Sequence, residues 1–232
     1  MILPTYNERE ALGALKPRLD AVLRPYSSEV LVVDDDSPDG TAEFVRSLGE
    51  GSGWRLHLRE GSRGLATAVL DGFASARGEV IVVMDADGSH PPETIPRLVE
   101  PIRERAAEFS LASRFVPGGS DEGLRGVRRL ISWGATAIAR PLSPVHDPMS
   151  GFFAMRRSVI DGAELAPVGY KIGLEVLVRC RPRPVVEVPF AFVPRLAGTS
   201  KLGSRQILGY LRHALRLYRW RFLGPGRASR TR

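Results

Sequence analysis

The sequence predicts an α/β fold with a mostly parallel sheet flanked by helices. Segments typical of strands and of helices alternate four times within the first 90 residues, the order expected for parallel strands joined by right-handed crossovers. The segments at 1–3, 30–33 and 80–84 are uninterrupted apolar runs, as expected for strands buried on both faces. Acidic residues follow two of these runs, at 34–36 and 85–87, where open α/β sheets bind ligands.

The N-terminal half supplies four predicted strands and four predicted helices. The strands are predicted at residues 1–3, 30–33, 55–58 and 80–84, and the helices at 8–23, 41–48, 64–76 and 92–105. In the first helix, Leu12, Leu15, Leu19 and Leu23 have the spacing of one apolar face. The first strand has three apolar residues before Pro4, so either it is short or the true start lies upstream of Met1.

The C-terminal half continues the pattern with fewer helices. Strands are predicted at 109–112, 150–156 and 185–193, and helices at 124–140, 172–180 and 204–222. We expect residues 1–203 to form one domain and residues 204–232 to form an amphipathic helix with a basic tail.

Composition narrows the class of protein without deciding it. The 43% hydrophobic and 25% charged residues are typical of a soluble fold, and the single Cys180 favours a reducing compartment. No apolar run reaches the roughly 18 residues needed to cross a bilayer, and no signal peptide is visible. The net charge of +7 suits nucleic acid, an anionic membrane or phosphate-bearing substrates. Acidic clusters at strand ends argue against nucleic acid, which they would repel.

Asp85 and Asp87 are separated by one residue and follow the most apolar strand. Two carboxylates at this position suit a divalent cation and a diphosphate. An equally good interpretation from the spacing alone is that Asp87 caps the next helix and Asp85 is a solvated strand end.

A second group of residues suits an anionic partner. Arg125, Arg128 and Ser132 are spaced three and four apart, so they share one face of their predicted helix. Guanidinium groups and a hydroxyl on one face can bind a phosphate, and Arg114 at the end of its strand could join them. The alternative is a solvated basic face.

Several stretches together carry a family resemblance. They are PTYNE (4–8), VVDDDSPDGT (32–41), MDAD with SHPP (84–92), ASRF (112–115), RRLIS (128–132), DPMSGFFA (147–154) and the residues from Arg195 through GTSK (198–201). In this order they resemble the family 2 glycosyltransferases of the GT-A (Rossmann-like) fold, and within them the dolichyl- or polyprenyl-phosphate mannosyltransferases.

The resemblance implies a donor site for a sugar nucleotide. Its residues would be Pro4, Tyr6, Glu8, Asp35, Asp36, Gly64, Asp85, Asp87, Arg195 and Lys201. Mg²⁺ or Mn²⁺ would be held by Asp85 and Asp87, with Ser89 as a third oxygen ligand. For several of these residues an ordinary structural role is the alternative: a Pro turn and first helical turn at residues 4–8, a turn glycine at Gly64, and a surface loop at Arg195 and Lys201.

The resemblance also implies an acceptor site and a reaction. Arg114, Arg128 and Ser132 would bind a lipid phosphate, and Asp87, Arg114 and Arg128 would act in catalysis. The reaction would be an inverting transfer of mannose from GDP-mannose to a dolichyl or polyprenyl phosphate. A phosphate acceptor is already ionised, so no strong general base is needed. Asp147 is expected either to line the sugar site or to have a turn or capping role before Pro148.

Alternative reactions remain open at this stage. They are glucosyl transfer from UDP-glucose to polyprenyl phosphate, and a family 2 transfer to a soluble or polysaccharide acceptor.

The C-terminal segment predicts a helix at a membrane surface. Its apolar residues fall within about one third of the helical wheel and form a stripe: Ile207, Leu208, Leu211, Ala214, Leu215, Tyr218 and Phe222. Arginines flank the stripe, which favours a peripheral position on the cytoplasmic face of a membrane. The stripe could instead dock on the protein's own core or on a partner. Many relatives carry transmembrane helices after the catalytic domain, whereas no such helix is visible in this sequence. We therefore expect this chain to reach the membrane peripherally or through a membrane-anchoring subunit.

Overall fold

The computed structural model describes residues 1–61, 63–124, 126–166, 169–194 and 204–223, without the side chains of Arg128, Ser204 and Arg205. The predicted donor ligands Arg195 and Lys201 and the basic tail at residues 224–232 lie outside the described residues. The same holds for the side chain of Arg128, so its predicted phosphate contact stays a prediction.

A seven-stranded sheet forms the centre of the fold. Its strands are β1 (Ile2–Thr5), β2 (Val30–Asp34), β3 (Trp54–Leu58), β4 (Val80–Val83), β5 (Phe109–Ser113), β6 (Phe153–Arg156) and β7 (Val185–Pro189). The order across the sheet is β3-β2-β1-β4-β6-β5-β7, and β6 runs antiparallel to both of its neighbours. All other pairings are parallel, which confirms the predicted mostly parallel sheet.

Seven α-helices accompany the sheet in the described residues. They are α1 (Arg9–Leu23), α2 (Thr41–Ser47), α3 (Leu65–Ser75), α4 (Ile95–Arg103), α5 (Val127–Ala139), α6 (Ile172–Arg179) and α7 (Ser204–Leu223). Single 3₁₀ turns occur at Pro92–Thr94, Arg140–Leu142 and Arg157–Val159. Every predicted element is present. The strand predicted at 150–156 begins only at Phe153, because residues 147–150 form a turn in which Ser150 N–H bonds the Asp147 carbonyl at 3.1 Å.

Hydrophobic cores lie on both faces of the sheet. Alternate residues of each strand pack on opposite sides: Leu3 joins the core under α1 and α4, whereas Ile2 joins the core under α3 and α6. This two-sided burial is the physical reason for the uninterrupted apolar strands. It also confirms the α1 pattern, since Leu12, Leu15 and Leu19 are completely buried.

The C-terminal helix α7 docks on the body of the protein. Its buried residues are Tyr210, His213, Ala214 and Leu217, which pack against α6 and the segment after α5. The helix itself is confirmed, but its docked face is rotated from the predicted stripe. Within the described part of the chain, no helix is long and apolar enough to cross a membrane.

Candidate active site

A cavity of about 850 Å³ opens at the carboxyl ends of the parallel strands. Nine of the predicted site residues line it: Pro4, Tyr6, Glu8, Asp35, Gly64, Asp85, Asp87, Arg114 and Ser132. These residues come from the ends of four strands, from the loop before α3 and from α5. The topology therefore brings the predicted donor and acceptor residues into one site, as expected for an open α/β sheet.

Of the predicted residues whose side chains the structure describes, two do not line this cavity. Asp36 is exposed and adopts a left-handed backbone with φ of 55°. Ser89 is 1% exposed, and its hydroxyl donates to Asp87 Oδ1 at 2.6 Å. The donor role of Asp36 and the metal ligation by Ser89 stay predictions.

The three consecutive carboxylates after β2 have different surroundings. Asp34 is completely buried and accepts hydrogen bonds from Thr5 Oγ1 at 2.8 Å and from the Ser37 hydroxyl at 2.6 Å. Asp35 lines the cavity and Asp36 is exposed. The hydrogen bonds to Asp34 and the exposure of Asp36 lower the cost of placing three carboxylates in a row.

Asp35 organises one wall of the cavity through a residue that the sequence analysis missed. Arg59, directly after β3, pairs with Asp35 through Nη1 and with Asp71 through Nε at 2.6 Å. The second oxygen of Asp35 accepts the Gly64 N–H at 2.7 Å. Gly64 has φ of +148°, a conformation that side chains rarely adopt, so a glycine suits this approach. Both oxygens of Asp35 thus hold the loop before α3.

An aromatic and cationic pair borders the same end of the cavity. The Arg63 guanidinium lies 4.6 Å from the centroid of the Tyr6 ring, and both residues line the cavity. A flat ring beside a guanidinium suits a nucleobase or ribose and its phosphates. Arg63 carried no signal in the sequence beyond its position beside Gly64.

Asp85 and Asp87 follow β4 and both line the cavity. Asp87 is 5% exposed, and its Oδ1 accepts the Ser89 N–H at 2.9 Å. The helical turn that begins at Pro92 has no side-chain cap, so Asp87 does not cap the next helix. The Asp87 carboxylate stabilises the turn that presents it to the cavity.

Two carboxylates are hard oxygen donors and fit Mg²⁺ or Mn²⁺. The described residues contain no group of three or more His, Cys, Asp or Glu side chains that could hold a metal ion. A cation at this position would therefore complete its coordination with diphosphate oxygens and water, which Mg²⁺ commonly retains.

His90 holds the backbone of this turn. Its Nδ1 accepts the Asp85 N–H at 3.1 Å, and its ring stacks on Phe152 at 5.1 Å. Burial lowers the pKa of His90, which favours the neutral ring that this hydrogen bond requires. His90 lies inside one of the stretches that carry the family resemblance, but no role was expected for it.

The side of the cavity that is predicted to bind the acceptor is built around Arg114. Its Nε and Nη2 donate to the two oxygens of Asp147 at 2.7 and 2.8 Å, and its Nη1 donates to Ser132 Oγ at 3.4 Å. Asp147 is completely buried. Asp147 begins the 147–150 turn, which agrees with one of its two expectations, and its carboxylate also fixes the guanidinium that faces α5, a role that was not expected.

Lys171 is a further cavity residue that the sequence analysis missed. It directly precedes α6, and its Nζ donates to the Met149 carbonyl at 2.6 Å. A single lysine before an apolar helix is a weak signal. Its significance depends on the contact with the 147–150 turn.

The far wall of the cavity is formed by two helices. α5 contributes Ile131 and Ala135 beside Ser132, and α7 contributes Gln206 and Gly209. Tyr210 of α7 donates its hydroxyl to the Ala135 carbonyl at 2.6 Å and so joins the two helices. The predicted acceptor side of the cavity thus lies between α5 and α7.

This fold and cavity agree with the family match. Residues 1–162 match the glycosyl transferase family 2 profile, and the chain belongs to this family.

Relatives with given activities cover nearly all of the chain. It is 46% identical over 224 residues to the dolichol-phosphate mannosyltransferase of Pyrococcus furiosus, covering 95% of this chain and 63% of that protein. It is 40% identical to the dolichol-phosphate mannosyltransferase of Saccharomyces cerevisiae, covering 96% of this chain and 87% of that protein.

A solved structure supports the GT-A fold. The glucosyl-3-phosphoglycerate synthase of Mycobacterium tuberculosis, in complex with Mn²⁺, UDP and phosphoglyceric acid, superimposes with a TM-score of 0.69 at 20% identity. The match covers 95% of this chain and 76% of that one.

Proposed function

We propose that this protein transfers mannose from GDP-mannose to a dolichyl or polyprenyl phosphate, with inversion at the sugar carbon and with Mg²⁺ or Mn²⁺. The observation that carries the proposal is one cavity with the Asp85 and Asp87 carboxylates at the donor side and with Arg114 and Ser132 at the acceptor side. The two relatives named dolichol-phosphate mannosyltransferase support the choice of sugar and acceptor.

The donor would bind along the strand ends. Tyr6, Glu8 and Asp35 border the region proposed for the nucleoside, and Gly64 lets the backbone approach it. Asp85 and Asp87 would hold the cation, which neutralises charge on the departing diphosphate. Arg195 and Lys201 are proposed to close over the same phosphates.

The acceptor would bind between Arg114 and α5. The Asp147 carboxylate holds Arg114 in place, so Nη1 and the Ser132 hydroxyl are preorganised for a phosphate. Arg128, one turn before Ser132 on α5, is proposed to add its charge. An ionised phosphate oxygen attacks the sugar carbon directly, so these residues position the acceptor and do not remove a proton.

The outer faces of α5 and α7 would contact a membrane. Nine of the ten exposed large hydrophobic residues in the described part of the chain lie in these helices: Val127, Leu130, Trp133, Ile138, Leu208, Leu211, Leu215, Phe222 and Leu223. Clustered exposed apolar side chains with nearby arginines are typical of interfacial helices. A polyprenyl chain could then extend from the cavity into the lipid, on the cytoplasmic face.

A transfer assay tests the proposal. The purified protein is incubated with GDP-mannose, Mg²⁺ or Mn²⁺ and a short polyprenyl phosphate, and lipid-linked mannose is measured by mass spectrometry. We expect mannolipid that depends on the cation. Product formed only from UDP-glucose would establish the glucosyl alternative instead.

The variant Arg128→Ala separates the lipid-phosphate acceptor from a soluble acceptor. Severe loss of transfer supports the lipid phosphate. Full activity of this variant, together with transfer to a soluble acceptor, would contradict it. Binding of the purified chain to vesicles would show that no membrane-anchoring subunit is required.

A further inference from the structure

Lys171 lines the same cavity as Asp85, Arg114 and Ser132. Its ammonium contacts the Met149 carbonyl at 2.6 Å and lies 4.7 Å from the Tyr170 ring centroid. An ammonium has three N–H donors, and Met149 accounts for one of them. These two contacts hold the charged group in place without neutralising it.

Lys171 and Arg114 differ in whether a carboxylate partner neutralises their positive charge. Arg114 is paired with the buried Asp147 through two hydrogen bonds, so this pair carries no net charge. Among the described residues, no carboxylate lies within ion-pair distance of Lys171 Nζ. Lys171 therefore supplies the uncompensated positive charge on this side of the described cavity.

The surroundings of Lys171 include charges of both signs. Burial, followed by the positive charge of Arg114, lowers the pKa of Lys171 to about 8, while Asp85 and Asp147 oppose the shift. The approach of two cations is unfavourable unless an anion lies between them. Arg114 Nη1 and Ser132 mark the place where such an anion would be bound.

We infer that Lys171 is a ligand of the acceptor phosphate, together with Arg114 Nη1 and Ser132. This inference rests on the proposed function and deepens it, because it names Lys171, directly before α6, as the residue whose positive charge would balance the acceptor phosphate. Because Asp85 lines the same cavity, a phosphate bound by Lys171 would lie close to the proposed site of the donor diphosphate.

Binding measurements test this role independently of sugar transfer. Geranyl phosphate and, separately, GDP with Mn²⁺ are titrated calorimetrically into the wild type, Lys171→Met and Lys171→Arg. Lys16→Met is the matched control, because Lys16 lies on α1 and pairs with Asp20. We expect Lys171→Met to lower the affinity for geranyl phosphate at least about tenfold, which is the effect of losing one charge-assisted hydrogen bond. GDP affinity should change less than about twofold.

The pH dependence separates a ligand from a merely structural residue. Between about pH 7 and pH 9.5, wild-type affinity for geranyl phosphate should fall as Lys171 loses its proton, whereas the Lys171→Arg variant should change less.

Three results would overturn the inference. They are a failure of the wild type to bind geranyl phosphate, binding of geranyl phosphate by Lys171→Met with wild-type affinity, and a loss of affinity by Lys171→Met mainly for GDP. The transfer assay distinguishes the two proposals. Lys171-dependent geranyl phosphate binding without mannose transfer contradicts only the proposed function. Unimpaired mannolipid synthesis by Lys171→Met contradicts only the role of Lys171.

Discussion

Arg114 and Asp147 form a two-pronged ion pair, with Nε–Oδ2 and Nη2–Oδ1 distances of 2.7 and 2.8 Å, at the end of β5. The main-chain N–H of Arg114 also donates to Asp147, at 3.1 Å. Because Asp147 is completely buried, this carboxylate fixes both the backbone and the side chain of Arg114. One guanidinium nitrogen, Nη1, remains directed to Ser132.

Substitution of Asp147 should therefore impair acceptor use more than donor binding. In Asp147→Asn the buried guanidinium loses its charge partner, and we expect transfer to fall about tenfold to a hundredfold, since a hydrogen bond to a charged group contributes about 1.5–3 kcal/mol. Transfer kinetics and calorimetric GDP binding are compared with Glu43→Gln, whose partner Arg46 is a surface residue. A loss of GDP affinity equal to the loss of transfer would contradict this prediction.

Asp87 should be required for cation-dependent nucleotide binding. In Asp87→Ala, one of two carboxylates at the proposed metal site is removed, so Mn²⁺ should no longer strengthen GDP binding. The measurement is a GDP titration with and without Mn²⁺. Asp161→Asn, an exposed acidic residue, serves as the control. If Asp87→Ala retains Mn²⁺-dependent binding and activity, the carboxylate has no metal role.

Arg59 should support the donor wall of the cavity. Arg59→Met leaves Asp35 buried without its charge partner, and removing one member of a buried ion pair costs about 3–5 kcal/mol. We expect a lower melting temperature and weaker GDP binding. Calorimetry measures both, and the exposed Arg46→Met should change neither. Wild-type GDP affinity in a folded Arg59→Met would show that the wall is not needed for the nucleotide.

The exposed face of α7 should determine membrane binding. Leu211 and Leu215 are 44% and 62% exposed, so glutamate at both positions should leave the fold intact. Sedimentation with anionic vesicles should show a loss of binding by Leu211→Glu/Leu215→Glu, because charge replaces apolar contact. Ala21→Glu, on exposed α1 surface, is the control. Equal vesicle binding by all three proteins would exclude this face.

Glu175 should anchor α7 to the body of the protein. Its buried carboxylate contacts His213 Nε2 of α7 at 2.6 Å and Arg179 at 2.6 Å. Glu175→Gln removes the charge, and a loss of about 3 kcal/mol would lower the melting temperature by roughly 6–12 °C. Differential scanning calorimetry measures the change, with the exposed Glu104→Gln as the control.

The same carboxylate predicts a pH dependence. Burial alone would raise the pKa of Glu175, but the hydrogen bond and charge of His213 and the charge of Arg179 outweigh it, so the pKa lies below 4.5. A lowered carboxyl pKa contributes stability that is complete above its unfolded value and is lost as pH falls through the folded value. The difference in melting temperature between wild type and Glu175→Gln should therefore shrink in acid. A difference that grows in acid would contradict this linkage.

The order of elements could be predicted from sequence because it depends on local patterns. Apolar runs predicted β2 and β4, and the spacing of leucines predicted α1. Both patterns reflect which residues of an element are buried. The gathering of Asp35 and Asp85 at one cavity was also predictable, because parallel strands end at the same edge of a sheet.

Contacts between residues that are distant in the chain could not be predicted from the sequence. Asp147 lies 33 residues from Arg114, and nothing in its own turn indicates that its carboxylate holds a guanidinium. Lys171 owes its place to the Met149 carbonyl, 22 residues away. Arg59 likewise reaches Asp35 across the β2–β3 edge. Contacts of this kind depend on strand order and helix packing, which hydrophobic periodicity does not specify.

The orientation of α7 shows the same division. The amphipathic helix at residues 204–222 could be predicted from the sequence, because helical periodicity is a local property. The side of this helix that is buried depends on contacts with the rest of the fold. Tyr210 and His213 find hydrogen-bond partners in Ala135 and Glu175, so these polar residues pack inward, whereas Leu211 and Leu215 remain exposed. A buried polar side chain is favourable only when its partner is present, and that partner is supplied by the fold.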